Sequence, residues 1–371
     1  MIKKVLIAAD SFKGSLTSHE VVHIIAGVLK KYGMHVLAVP VTDGGDGVLD
    51  VLRLTSDLKY AETEVIDATG EMIKAGYLID ENMTGYLSVS SASGIQDIDR
   101  RRLDPFKAST YGTGQILEKM ISSGIKNVKF FLGGSATVDG GTGILSALGA
   151  EFYDKSGSLI DAAVENPLIR FKNMIPDKAL TKLKELNVEL IVDVDNEITG
   201  EAGAVKVFGP QKGVNENSVE LFCEKMNAWV DMLEQISGKK LTSVNGLGAA
   251  GGAGLPLFSF SDCKVVNGAE WFYDFLDLGE LISGVDIVIT GEGSIDRQTF
   301  MGKIPGLIAT KAKAAGKTVI GICGKTDGTV SGRFDELIAI ISEFNVTEEY
   351  SQRHASGLLR KAAELIADQL I

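Results

Sequence analysis

Histidine, cysteine and proline are scarce in this chain, with four, three and seven copies among 371 residues. Cys223, Cys263 and Cys323 are odd in number, far apart and never spaced as CxxC, so neither a disulfide framework nor a thiolate zinc site is expected. None of the four histidines lies inside a glycine-rich loop. A Ser-His-Asp or Cys-His nucleophile system therefore has no natural place to assemble, and acid–base work falls to carboxylates. Basic charge is also lacking: the formal net charge of −12 disfavours nucleic acid and anionic membrane surfaces as partners. Long apolar runs are missing too. The uncharged stretch from Leu241 to Ser261 is rich in Gly, Ser and Asn and broken by Pro256, so it reads as a loop region and no membrane span. Lys3 and Lys4 precede only the short run Val5 to Ala9, far below a signal-peptide core, and the chain is expected in the cytoplasm.

What is present is glycine, 43 residues of it, with 45% hydrophobic and 23% charged residues, enough apolar material for sizeable cores. A chain of this length tends to split into two domains. Apolar, β-branched runs ending in glycine or an acid predict buried parallel strands at 5–10, 35–41, 128–134, 188–195, 285–292 and 319–324. Helical periodicity lies between them, as at Val219, Phe222, Met226, Trp229, Val230 and Leu233, and again from Leu358 to Ile371. Alternating strand and helix imply an α/β fold. Thr17 and Glu20 stand in capping-box spacing and Gly33 follows the last periodic residue, so a helix should start near Thr17. The segment Ser11-Phe12-Lys13-Gly14-Ser15 then joins a strand's C-terminal end to a helix N-terminus, where open α/β sheets bind ligands.

Four glycine-rich segments stand out, Asp43 to Gly47, Gly133 to Gly141, Gly248 to Gly254, and Gly291 to Asp296, and all but Gly248 to Gly254 carry acids. Any one of them reads equally well as a plain turn. Together, at strand ends, they would converge on one cleft able to hold a metal, a polyphosphate and a substrate hydroxyl, which is the pattern of phosphoryl transfer. Known nucleotide signatures do not fit. Gly324-Lys325-Thr326 has Val319 where a Walker loop needs glycine, and the formal GxGxxG at 246–251 follows no clear strand. His19-Glu20-Val21-Val22-His23 is a literal HExxH, but Glu20 sits at the capping position and His19 in the first helical turn. Lys13, Lys212 and Lys303 lie beside glycine-rich or strand-end segments and could neutralise phosphate or carboxylate.

The ordered set Asp10-Ser11-Phe12-Lys13-Gly14-Ser15-Leu16, Asp43-Gly44-Gly45-Asp46-Gly47, Tyr111-Gly112-Thr113-Gly114, Gly133-Gly134-Ser135-Ala136-Thr137, Asp193-Val194-Asp195-Asn196, Phe208-Gly209-Pro210-Gln211-Lys212-Gly213 and Thr290-Gly291-Glu292-Gly293 resembles the bacterial type I glycerate kinases over essentially the whole chain. The resemblance implies a discontinuous flavodoxin-like domain, 1–63 and 285–371, with a restriction-endonuclease-like α/β domain inserted at 64–284. It implies ATP-dependent phosphorylation of D-glycerate with Mg2+, preferably to 2-phosphoglycerate, by a monomer or homodimer. A 3-phosphoglycerate-forming enzyme and a non-catalytic phosphometabolite sensor are the alternatives. The expected site has Asp193, then Asp43, as proton acceptor, with Lys13 assisting, and Ser11, Lys13, Asp46 and Lys303 on the substrate. Gly134, Ser135, Asp139, Gly140, Gly141 and Lys212 would hold the nucleotide, and Glu292, Asp296 and Asp195 the magnesium. Val138 departs from the family pattern, which has asparagine there.

Overall fold

The structure, a computed structural model, describes residues 3–371 apart from Asp46 and Asp97, with the backbone alone at Arg100. The chain divides into two compact units, one of Met1–Asp43, Asp50–Ser56 and Asn267–Ile371, the other of Gly44–Leu49 and Asp57–Val266.

The first unit is built on five strands, β1 (Lys4–Ala9), β2 (His35–Pro40), β3 (Ile287–Ile295), β4 (Thr318–Thr326) and β5 (Glu336–Ala339). All pair in parallel, in the order β5-β4-β3-β1-β2. That order is the doubly wound, flavodoxin-like one, and its direction of winding reverses between β1 and β3. On one face Val5, Ile7, Ile289, Ile320 and Ile322 pack against Val21, Val22, Ile25 and Leu29 of the helix Ser18–Lys31 and Leu359 and Ile366 of the helix Ala355–Leu370. Alternate residues Leu6, Ala8, Val288 and Val319 are buried as well, as a sheet covered on both faces requires. The helix Ser18–Lys31 starts where its sequence predicts. Thr17 Oγ1 accepts from the Glu20 N–H and the Glu20 carboxylate accepts from the Thr17 N–H, closing the capping box.

The second unit carries a six-stranded mixed sheet in the order Asp262–Asn267, Asn187–Val192, Asn127–Phe131, Thr84–Ser88, Met72–Ile79, Lys59–Ile66. Thr84–Ser88, Asn127–Phe131 and Asn187–Val192 run parallel, while Lys59–Ile66 and Met72–Ile79 form an antiparallel pair at one edge. Its core is larger and aromatic, with Phe130, Phe152, Phe222 and Trp229 fully enclosed.

The division differs from the boundaries read in the sequence. A break after residue 63 falls inside Lys59–Ile66, which is paired with Met72–Ile79 along its whole length. The stretch 267–284 holds the helices Gly268–Phe275 and Leu278–Ser283, which pack on the helix Ile304–Ala314 of the first unit.

Candidate functional site

In the first unit, the loops that follow β1 and β3 end at the winding reversal, and a cavity of about 260 Å3 opens there. Asp10, Ser11, Phe12, Lys13, Asp43, Glu292 and Lys303 line it on the β1 and β3 side, and Lys325, Ile340, Ile341 and Gln352 on the other. The β1 loop is a compact turn: Phe12 exchanges backbone hydrogen bonds with Leu16, the Ser15 hydroxyl donates to the Phe12 carbonyl at 2.9 Å, and buried Phe12 anchors it. Lys13 is left exposed at its tip. The Asp10 N–H donates to the Gly291 carbonyl, tying this loop to β3. Gly291 is required there, because a Cβ would meet the Ile322 carbonyl oxygen at 1.8 Å and force β4 away.

Carboxylates crowd this cavity. Burial, then the charge of Asp43, pushes the Asp10 carboxyl well above the usual carboxylate range; Glu292 adds to the effect, while the Ser11 N–H and Lys13 oppose it. Glu292 is almost fully enclosed, accepting from Thr299 Oγ1 at 2.7 Å and from Lys303 Nζ at 2.7 Å. Burial raises its carboxyl, against the pull of Lys303 and Thr299. Burial also works against the Lys303 charge, but Glu292, Asp43 and Asp296 more than offset it and the ammonium is favoured.

The second unit supplies a different cluster, on the loop after Asn127–Phe131. Asp139 is fully buried and accepts four hydrogen bonds, from Thr110 N at 2.8 Å, Thr110 Oγ1 at 2.7 Å, Gly141 N at 3.1 Å and Gly143 N at 3.2 Å. Burial raises its carboxyl against those bonds. Gly141 opens the helix Thr142–Ala147 in a left-handed conformation, φ 74°, that favours glycine. Lys212, only 3% exposed, ends the short 3-10 turn Pro210–Lys212, and its Nζ donates to Ser135 Oγ at 2.6 Å and to the Thr137 carbonyl at 3.0 Å.

Among the expected residues, Ser11, Lys13, Asp43, Glu292 and Lys303 thus line one cavity, and Asp46 lies outside the described residues. Ser135, Asp139 and Lys212 share one buried cluster, with Asp193 close enough to act on the Lys212 charge. The N–H groups of Gly140 and Gly141, expected to face phosphate, are spent inside the fold on the Gly251 carbonyl and on Asp139. Asp139 likewise has no oxygen left without an internal donor. Asp296 caps the turn Arg297–Phe300 through the Gln298 N–H, and Asp195 is exposed on the second unit. The residue that sequence reasoning left out is Asp10, whose signal was present as the acid ending β1 at a ligand-binding edge.

The HExxH segment holds no metal arrangement: one Glu20 oxygen serves the Thr17 cap and His23 Nδ1 lies 3.0 Å from the His19 carbonyl. Among the described residues, no group of three or more His, Cys, Asp or Glu is placed to hold a metal by itself. Val138, where the family pattern has asparagine, packs its side chain in the core of the second unit.

The model of the glycerate kinase family matches residues 5–371. The chain belongs to the glycerate kinase family. Within it, the chain is 31% identical to a glycerate kinase of Bacillus subtilis (strain 168) and 31% identical to a glycerate 2-kinase of Escherichia coli (strain K12), covering 98% of this chain and 97% of the relative in each case. A crystal structure assigned as a glycerate kinase 2 from Salmonella typhimurium LT2 superposes with a TM-score of 0.80 at 29% identity, covering 100% of this chain and 98% of that one. Membership makes the chain an enzyme, a phosphotransferase with an alcohol group as acceptor, whose reactants are a small molecule and an ATP-type phosphate donor.

Proposed function

We propose that the chain transfers the γ-phosphoryl group of ATP to the 2-hydroxyl of D-glycerate, releasing ADP and 2-phosphoglycerate. The observation that carries this reading is the meeting of Ser11, Lys13, Asp10, Asp43, Glu292 and Lys303 at one cavity on the C-terminal edge of the parallel sheet. Lys13 and Ser11 hold the glycerate carboxylate, an ammonium and a hydroxyl being suited to that anion. As the new oxygen–phosphorus bond forms and the bond to ADP breaks, the hydroxyl proton passes to a carboxylate.

A proton acceptor works best with a pKa near the working pH. The sequence favoured Asp193 with Asp43 second. The mutual repulsion of Asp43 and Asp10 now favours that pair, and Asp193, beside Lys212, becomes the second choice. Ser135 and the Gly134 backbone remain the candidates for the nucleotide phosphates. Magnesium fits the donor set in its usual manner, with one or two hard carboxylate oxygens, the rest being water and phosphate. With Asp43 as the base, Asp10 is a better candidate to hold it than Glu292, whose oxygens Lys303 and Thr299 already engage. Bound there, the ion would neutralise charge building on the phosphate oxygens.

The 2-hydroxyl is chosen on the Escherichia coli relative's name, glycerate 2-kinase. The reading places the enzyme in the cytoplasm as a monomer or homodimer. No helix among the described residues is long and apolar enough to cross a membrane. The test is to supply ATP, magnesium and D-glycerate with enolase and no mutase. Phosphoenolpyruvate is expected; ADP release without it until a mutase is added would assign the 3-hydroxyl instead.

A further inference from the structure

Lys212 is too deeply enclosed to act as an ordinary phosphate-binding lysine. It is 3% exposed, and its ammonium is directed inward, to the Ser135 hydroxyl at 2.6 Å and the Thr137 carbonyl at 3.0 Å. Burying an ammonium on neutral acceptors is costly. Asp139 and Asp193 are the charged groups that act on it through their fields. The same loop buries a second hydroxyl, Thr137 Oγ1, without any hydrogen-bond partner. Buried polar groups left in this state commonly mark a place where a ligand completes the network.

We propose that Lys212 is a positioning residue that sets the direction of the Ser135 hydroxyl, so that Ser135 donates its proton to a nucleotide phosphate oxygen. This rests on the proposed nucleotide reading of the 133–137 loop. A charged Lys212 has only donors, so the Ser135 oxygen must accept from it and the Ser135 proton is turned elsewhere. A neutral Lys212 carries a lone pair. That lone pair can accept a hydrogen bond from the Ser135 hydroxyl, and Ser135 then offers phosphate only its own lone pairs, which repel it. Burial lowers the Lys212 amine to about 7, against the upward pull of Asp139 and Asp193, so the reversal falls in the neutral range.

The experiment is ADP binding by titration calorimetry between about pH 6 and about pH 8.5, on the wild type, Ser135→Ala, Lys212→Met and Ser135→Thr. Across that range the wild-type affinity should weaken by about tenfold more than the Ser135→Ala affinity does, the worth of one hydrogen bond to a charged acceptor. The ADP phosphates titrate identically in all four proteins, so that ratio removes their contribution. Lys212→Met should match Ser135→Ala in losing the step, and Ser135→Thr, which keeps the hydroxyl, should restore it. A step that survives in Ser135→Ala, or a wild-type affinity that falls no further than the Ser135→Ala affinity, overturns the proposal while leaving the kinase reading intact. If the Ser135 and Lys212 substitutions raise KM for glycerate and leave ADP affinity untouched, the nucleotide reading of this loop is the part that fails.

Discussion

The two units keep charge inside protein by opposite means. In the first, Glu292 is held by an ion pair with Lys303 at 2.7 Å, and burial with the charge of Asp43 raises the tendency of Asp10 to hold a proton. In the second, Asp139 accepts four bonds from the neutral donors of Thr110, Gly141 and Gly143, and Lys212 is met by a hydroxyl and a carbonyl. Neutral donors fix geometry without supplying a titratable partner. Opposed carboxylates do the reverse and push a carboxyl above its usual range. The first unit therefore gathers carboxylates around its cavity, while the second fixes its loop through neutral bonds around one titratable lysine, Lys212.

That contrast breaks most sharply at the proton acceptor. Asp43→Asn should lower kcat by roughly 100-fold to 10,000-fold, the usual reach of general-base catalysis, with KM for glycerate changed only a few-fold. Asp193→Asn should cost much less. Steady-state ADP release under saturating substrates measures both, and a larger kcat loss in Asp193→Asn would move the base to the second unit.

Stability gives the next largest effect. Asp139→Ala leaves the buried N–H groups of Gly141, Gly143 and Thr110 without their acceptor and should cost about 3 kcal/mol or more. Lys303→Met also strands a buried acid, but water reaches a side chain 31% exposed beside one 11% exposed, so about 1–2 kcal/mol is expected. Urea midpoints rank the pair, and the reverse order would make ion pairing the stronger support.

A pH titration of stability separates the units again. Lys212 has an amine lowered to about 7 against an ordinary 10.5, so between those values the unfolded chain binds the extra proton. Stability at this site rises with pH across that window and sits on a lower plateau below it. The wild-type minus Lys212→Met difference in unfolding free energy should change by roughly 2 kcal/mol between about pH 7 and about pH 9. A flat difference would mean that burial does not perturb this lysine.

The first unit was the more legible one. Its strands β1, β3 and β4 are continuous apolar runs, and the Thr17–Glu20 box marked a helix start that the structure reproduces. Lys59–Ile66 alternates exposed and covered residues at a sheet edge, so a search for buried runs passes over it, and the expected domain boundary cuts through it. At the site, residue types pointed to Lys13, Asp43 and Glu292. Asp10 shows in the sequence only by its place directly after β1, since the charges that act on it are gathered by tertiary folding. Glycine content likewise cannot tell an amide open to phosphate from one already spent, as at Gly140 and Gly141.

The smallest effect concerns how each unit begins a helix beside its loop. In the first unit the start is local: Thr17 and Glu20, three residues apart, satisfy each other's backbone. In the second, Asp139 holds the start of Thr142–Ala147 while also binding Thr110, so one side chain joins two segments distant in sequence. Thr17→Ala removes one cap bond, and the Glu20 carboxylate can still accept from the residue 17 N–H, so about 1 kcal/mol is lost, visible as a small fall in Tm with kcat unchanged. A fall in kcat comparable to that of Asp43→Asn would show that the cap sets the Ser11–Lys13 turn directly, and the loop of the first unit would then depend on its helix as much as that of the second does.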